Sequence, residues 1–304
     1  MSNIVVVLGP TASGKTSLSA QLAAKFNAEI ISADSRQIYK FMDIGTGKDL
    51  NEYNINNHFI PYHLIDIISP LQDYSVFQYK EDFFKIYNKL LNKDKLGILC
   101  GGTGLYIESV LLNYKIPNVP PNKKLREQLK DFDLKSLIAR MKKIDKNIYN
   151  SKYHTTKRRA IRTIEILSSK LDVNTLKNNK IIQNPLIFGI KVERQVLLKK
   201  IKNRLNSRLD SGMIEEVEKL IKKGITLDRL QYFGLEYKFL GQYLFNQLSY
   251  DEMKTKLNFA INRFSKRQMT FFRRMEKRGL KIHWLTAQSS LKDSTQHIIQ
   301  YLNQ

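Results

Sequence analysis

Apolar residues along this chain alternate between two rhythms. Short unbroken runs of β-branched and aliphatic residues are separated by longer stretches in which apolar positions return every three or four residues. Ile4-Val5-Val6-Val7-Leu8 is the first run, and Leu18, Leu22 and Phe26 follow at helical spacing. Glu29-Ile30-Ile31-Ser32-Ala33 predicts a second strand, His58 to Ile68 another, and Leu96-Gly97-Ile98-Leu99-Cys100 a fourth. Between them Ser75-Val76-Phe77-Gln78 is a capping-box pattern that opens a helix through about Leu91. A helix is expected after Gly104, through Leu112. Continuous apolar strands alternating with helices describe an α/β fold with a buried parallel sheet.

From Ile116 the pattern breaks. Ile116-Pro117-Asn118-Val119-Pro120-Pro121 suits neither a helix interior nor a central strand. Leu125, Leu129 and Leu134, then Leu137, Ile138, Met141 and Ile144, predict helices beyond it. Leu186 to Val192 resumes the sheet after Asn184-Pro185. The remainder reads as mostly helical, over about Gln195–Leu209, Ile214–Lys223 and Tyr250–Met275. The expected organisation is a core of residues 1–115 and 185–304 interrupted by an insert, 116–184.

Charge sharpens this picture. The 304 residues carry 51 Lys and Arg against 28 Asp and Glu, a net charge of +23, which favours a polyanionic partner. Residues 122–162 hold fourteen of the basic residues and four acidic ones, and Lys157-Arg158-Arg159-Ala160-Ile161-Arg162 puts Arg158 and Arg162 on one helical face. Phosphate-backbone binding is the expected use of that cluster. Phe264, Phe271 and Phe272, interleaved with Lys266-Arg267-Gln268 and Arg273-Arg274, are expected to be core. One cysteine, Cys100, excludes an intrachain disulfide and a multi-cysteine zinc site, and reads as a small buried hydrophobe. A strand starting at Ile4 leaves no room for a leader peptide, and no apolar stretch approaches a membrane span. A cytoplasmic protein is expected.

Chemistry is concentrated at the ends of the predicted strands. Gly9-Pro10-Thr11-Ala12-Ser13-Gly14-Lys15-Thr16 has P-loop spacing and sits between a strand and a helix. Its glycines let successive N–H groups point inward at the positive end of a helix. Lys15 is placed to reach terminal phosphate oxygens and Thr16 to offer a hydroxyl to Mg²⁺. In open parallel sheets ligands bind beyond the carboxyl ends of the strands, which puts Asp34 near this cradle. Asp34-Ser35-Arg36-Gln37 follows one strand and Gly101-Gly102-Thr103-Gly104 another, with Thr103 a hydroxyl contact to a ligand. Thr46 and Lys48 either belong to a turn or face the phosphates.

Taken in order, Gly-Pro-Thr-Ala-Ser-Gly-Lys-Thr (9–16), Asp-Ser-Arg-Gln-Ile-Tyr (34–39), Met-Asp-Ile-Gly-Thr-Gly-Lys (42–48), Gly-Gly-Thr-Gly-Leu-Tyr (101–106), Arg-Arg-Ala-Ile-Arg-Thr-Ile-Glu (158–165) and Lys-Arg-Gln-Met-Thr (266–270) resemble the bacterial tRNA dimethylallyltransferases. The resemblance covers nearly the whole chain. It implies a P-loop kinase-like core with an inserted, mostly helical tRNA-binding domain. It also implies transfer of a dimethylallyl group from dimethylallyl diphosphate to N6 of adenosine-37 beside the anticodon, in tRNAs reading codons that begin with U. Residues 9–16 would hold the diphosphate, with Mg²⁺ at Thr16. Asp34 would be the general base, with Thr103 and Lys15 beside it. Ser35, Arg36 and Gln37 would line the mouth for the flipped base, and Arg126, Arg158, Arg159 and Arg162 would contact tRNA. The expected enzyme is a monomer, and with one cysteine it has no zinc finger of the kind found in eukaryotic members.

One position departs from the pattern: many bacterial members carry Gly-Tyr-Arg where this chain reads Gly234-Leu235-Glu236-Tyr237-Lys238. The resemblance implies that this arginine assists the diphosphate, which Glu236 cannot do, and Lys238 is the candidate substitute. A small-molecule or nucleotide kinase also accounts for residues 9–16, but leaves 34–37 and the basic insert unexplained. A GTPase-like switch lacks Asn-Lys-x-Asp.

Overall fold

The structure, a computed structural model, describes residues 3–145, 156–169, 182–286 and 291–302. They fall into two compact units, one of Met1–Asn113 with Ile181–Gln304, the other of Tyr114–Lys180. The first unit opens with β1 (Ile4–Leu8), α1 (Lys15–Phe26) and β2 (Glu29–Ser32). A 3-10 turn over Leu50–Tyr53 then leads into β3 (Asn54–Ile55), β4 (His58–Phe59) and β5 (Tyr62–His63). After these come α2 (Val76–Leu91), β6 (Gly97–Gly101) and α3 (Gly104–Leu111). The second unit holds α4 (Lys123–Leu129), α5 (Leu134–Ile144) and α6 (Lys157–Ser168). The first unit resumes with β7 (Leu186–Lys191), α7 (Arg194–Asp210), α8 (Met213–Lys222), α9 (Leu227–Tyr232) and α10 (Leu235–Leu244). It closes with α11 (Tyr250–Lys277), β8 (Ile282–Thr286) and α12 (Leu291–Leu302).

Six strands form one sheet in the order β5-β2-β6-β1-β7-β8, every pairing parallel. Its strands are buried on both faces, which is why they lack polar alternation. Ile4, Val6 and Leu8 point into a core shared with Phe83 of α2, Ile201 of α7 and Phe272 of α11. Val5 and Val7 point the other way, onto Leu18 and Leu22 of α1 and Ile298 of α12. Cys100 is buried on that second side, as expected. The Ser75 capping box forms, its side chain accepting from the Gln78 amide. Among the described residues no helix is long and apolar enough to cross a membrane.

Two expectations change. His58 to Ile68 is not one strand but two two-residue pieces, β4 and β5, either side of Ile60 and Pro61. Leu64 and Asp66 have φ of 62° and 56°, a left-handed backbone that no strand can contain. The edge strand β8, which pairs with β7, had no counterpart in the sequence reading.

In the second unit, Leu129, Leu137, Met141, Ala160 and Ile164 make a small core. Residues 146–155, inside the stretch expected to be helical, lie outside the described residues. Glu165 is fully buried beside that core and accepts two hydrogen bonds from Arg126, at 2.7 and 2.9 Å, and one from Arg162 at 3.1 Å. The Asn122 amide adds a fourth at 2.8 Å, and Arg162 also donates to the Val119 carbonyl. Burial alone pushes the Glu165 carboxyl up, but these donors outweigh it and leave its pKa below the usual range. Its stabilising contribution is therefore present above the unfolded carboxylate pKa and lost as pH falls through the lower folded one. Hydrogen bonds to charged groups contribute about 1.5–3 kcal/mol each, and both guanidiniums can regain water, so Glu165→Ala is expected to destabilise this unit by about 2 kcal/mol. Urea titration of the full chain at pH 7 and pH 4 checks this: the gap between parent and variant narrows at the lower pH.

Candidate active site

Because all six strands run the same way, β1, β2 and β6 deliver their following loops to one edge. At the end of β1, Ala12 and Gly14 have φ of 61° and 86°, and Gly14 leads into α1 in left-handed conformation. Gly9 passes so close to the loop that a Cβ there would lie 2.8 Å from Ser13 Oγ and 3.2 Å from Ile190 Cβ. Lys15 Nζ donates to the Pro10 carbonyl at 2.9 Å, folding its ammonium over the loop. Burial holds the Lys15 pKa below its ordinary value, and the nearby Arg204 adds to that. Ser13 Oγ is buried with no hydrogen-bond partner among the described residues.

The end of β6 is drawn against the end of β2. The Ala33 amide donates to the Cys100 carbonyl at 2.7 Å, and the Thr103 amide to the Ala33 carbonyl at 3.0 Å. Gly101 permits this approach, since its Cβ would sit 2.3 Å from the Ala33 oxygen. Asp34 Oδ1 accepts from the Arg36 amide at 2.9 Å, forming a tight turn. Thr103 Oγ1 accepts from the Ser35 amide at 3.0 Å and lies 3.3 Å from Ser35 Oγ. Thr103 therefore fastens the Asp34 turn to the loop after β6.

Asp34, Ser35, Arg36 and Thr103 line one cleft of about 440 Å³ together with Thr11. Gln37 does not line it. Its amide nitrogen donates to the Gly47 carbonyl at 2.9 Å and its oxygen accepts from Ser32 at 3.1 Å, so it braces the turn from behind. Lys48, a candidate phosphate contact, is 1 % exposed and pairs with Asp43 and Asp66 beneath the loop. It supports the loop and does not reach the phosphate cradle's side of the cleft lining, whereas Thr46 does line the cleft. Arg126 and Arg162 are committed to Glu165, while Arg158 and Arg159 are exposed on α6.

Other side chains complete the site from distant parts of the chain. Gln268 of α11 accepts from the Thr11 amide at 2.9 Å and donates to the Gly102 carbonyl at 3.0 Å, tying the loops after β1 and β6 together. Glu216 of α8 accepts from the amides of Asp43, Ile44 and Gly45 at 2.7, 2.7 and 3.0 Å, and from the Tyr237 hydroxyl at 2.7 Å. One carboxylate thus anchors both the 43–47 loop and the start of α10. Arg204 of α7 donates to Thr11 Oγ1. Burial, then the neighbouring Arg208, lower its pKa to about 10. Glu236 also lines the cleft, its pKa raised by burial despite the two arginines. Lys238 does not line it; its ammonium lies 5.5 Å from the Phe239 ring.

The aromatic residues of α11 divide. Phe272 is core, but Phe264 and Phe271 line the cleft with Arg267 between them. Phe272 continues the buried stripe of Leu257, Ile261 and Met275, and Phe271 lies one residue, about 100°, round the helix from it.

Among the described residues no group of three or more His, Cys, Asp and Glu side chains is arranged to hold a metal.

Comparison with known proteins agrees with this geometry. The model described as IPP transferase matches residues 37–275, and that described as isopentenyl transferase matches residues 2–57. A tRNA dimethylallyltransferase of Parabacteroides distasonis is 48% identical over 99% of this chain and 97% of its own length. Another, of Azobacteroides pseudotrichonymphae, is 50% identical over 93% of this chain and 92% of its own. The crystal structure of the full-length tRNA isopentenylpyrophosphate transferase of Bacillus halodurans superposes with a TM-score of 0.71 at 29% identity, covering 99% of this chain and 95% of that one. Phosphate loop, acidic turn and glycine-rich third loop meet in one cleft of a fold shared end to end with these proteins, and the chain belongs to the IPP transferase family.

Proposed function

We propose that this chain transfers the dimethylallyl group of dimethylallyl diphosphate to N6 of adenosine-37, adjacent to the anticodon, in tRNAs reading codons that begin with U. The observation that carries the reading is the meeting in one cleft of Asp34 and Thr11, the one residue of the phosphate loop that lines it. The allylic C–O bond breaks and its electron pair leaves with the diphosphate, while a bond forms from N6 to the allylic carbon. The N6 proton passes to Asp34. Backbone N–H groups of residues 12–16 and the Lys15 ammonium receive the charge that develops on the leaving oxygen, while the Thr11 amide is taken by Gln268. Mg²⁺, held by phosphate oxygens and Thr16, would neutralise further charge on the diphosphate. Thr103 keeps the Asp34 turn in register, and Ser35 and Arg36 border the mouth. A stacked base cannot reach this cleft, so the adenosine is flipped into it.

The basic segment 116–184 is read as the tRNA-binding insert, with Arg158 and Arg159 its phosphate contacts. Arg126 and Arg162 hold Glu165 in the same unit and keep exposed edges that can add to those contacts. Each phosphate contact contributes about 0.7–0.9 to the log–log salt slope, so Arg158→Ala and Arg159→Ala should each flatten the salt dependence of tRNA affinity by about that amount. Filter binding at several salt concentrations measures it, and slopes equal to the parent's would make this a solvated helix face. The enzyme is read as a cytoplasmic monomer, working where its tRNA is.

The direct test incubates purified protein with dimethylallyl diphosphate, Mg²⁺ and unmodified tRNA, then sequences the modified nucleoside by mass spectrometry. Prenylated adenosine at position 37, and its loss from a deletion strain, is the expected result. Unmodified tRNA after complete incubation would overturn the reading.

A further inference from the structure

Glu236 lines the cleft as a carboxylate, and Lys238 does not line it. The site has another cation at the right place. Arg204 projects from α7, whose Lys199, Lys200 and Lys202 are exposed. It donates to Thr11 Oγ1, within the phosphate loop itself. Arg208, one turn on, is held elsewhere: it pairs with Asp49 at 3.4 Å and covers Gly47, where a Cβ would fall 1.7 Å from Nη2.

Arg204 forms no ion pair among the described residues. A guanidinium has five N–H donors, and its hydrogen-bond partner among the described residues is a neutral hydroxyl, that of Thr11. Arg36 and Arg267 also border the cleft, but Arg204 is the arginine bonded to the loop. A half-buried guanidinium that is bonded to the phosphate loop, lines the cleft and makes no ion pair among the described residues is an anion seat.

We propose that Arg204 contacts the diphosphate in this chain and supplies the cation that Glu236 cannot, while Glu236 limits how tightly the diphosphate is held. This rests on the prenyl-transfer reading above. When the allylic C–O bond breaks, the bridging oxygen takes the electron pair and becomes more negative, so a contact from Arg204 strengthens in the transition state. Loss of Arg204 should therefore lower kcat as well as raise KM for dimethylallyl diphosphate. Glu236 faces the same anion with the opposite sign, and its removal should do the reverse to binding.

The test is calorimetric titration of inorganic diphosphate with Mg²⁺ into the full chain without tRNA, alongside steady-state kinetics with both substrates. Losing a charge-assisted contact weakens binding by about 10- to 100-fold, which is the expectation for Arg204→Ala, with thermal midpoint and tRNA affinity unchanged. Arg204→Lys should fall between, because it keeps the charge but not the fork. Glu236→Gln should bind diphosphate more tightly than the parent, an effect that a merely structural role for the pair would not produce. Lys238→Ala should match the parent. If the parent binds diphosphate and Arg204→Ala binds it within two-fold, or if Lys238→Ala is the variant that loses it, Arg204 is not the contact. Should Arg204→Ala fail to fold, parent-like binding by both Arg204→Lys and Glu236→Gln overturns the proposal equally. A parent that binds no diphosphate brings down the prenyl-transfer reading too.

Discussion

Asp34→Ala is expected to reduce prenyl transfer by about 10²–10⁴-fold, the usual cost of removing a general base, while tRNA affinity stays near the parent's. Asp34 follows β2 at the sheet edge where the phosphate loop also emerges, and it borders the same cleft. One of its oxygens accepts from the Arg36 amide, so alanine removes both a base and a turn contact. Asp34→Asn separates the two, since an amide oxygen can still accept that hydrogen bond but cannot take the N6 proton at neutral pH. If Asn is as damaging as Ala, the proton role accounts for the loss. Turnover by Asn within a few-fold of the parent would remove Asp34 from the chemistry. Single-turnover rates with excess enzyme give the cleanest measure, because product release does not enter them.

The second large effect concerns what the loop at residues 9–16 holds. P-loop spacing is commonly associated with nucleoside triphosphates, yet backbone N–H groups and a lysine recognise phosphate and read neither base nor ribose. Dimethylallyl diphosphate with Mg²⁺ should therefore support full turnover with no nucleoside triphosphate present, and ATP should act at most as a weak competitor. Lys15 folds over the loop onto Pro10, and its lowered pKa reflects a desolvated ammonium, which interacts more strongly with an anion than a hydrated one. Removing one such charge-stabilising donor costs about 10²–10³ in rate, and Lys15→Ala should lose at least that. A strict requirement for ATP, or phosphoryl transfer from ATP to any acceptor, would mean the kinase reading is the right one.

Continuous apolar strands and helical periodicities were enough to place β1, β2, β6, β7, α2 and α11, because burial on both faces of a parallel sheet leaves a strong local imprint. The phosphate loop was equally legible. Its shape is a property of eight consecutive residues, whose glycines permit the backbone that Gly14 adopts. That strands of one direction deliver residues 9, 34 and 103 to one edge also follows from the chain order.

What the chain order does not contain is which side chains cross the cleft. Gln268 meets Thr11 across 257 residues of sequence, and Glu216 meets residues 43–45 from another helix. Phe264 and Phe271 differ from Phe272 only by a rotation about α11, and periodicity cannot say which neighbour fills each side. Lys48 in a Gly-Thr-Gly-Lys run resembles a phosphate ligand until Asp43 and Asp66 are seen enclosing it. Composition, length and local spacing thus determined the α/β class, the phosphate loop and the acidic turn. Tertiary packing decided which cations face the cleft and which are neutralised beneath it, because the partner of a charge is fixed by distance in space and not by separation along the chain.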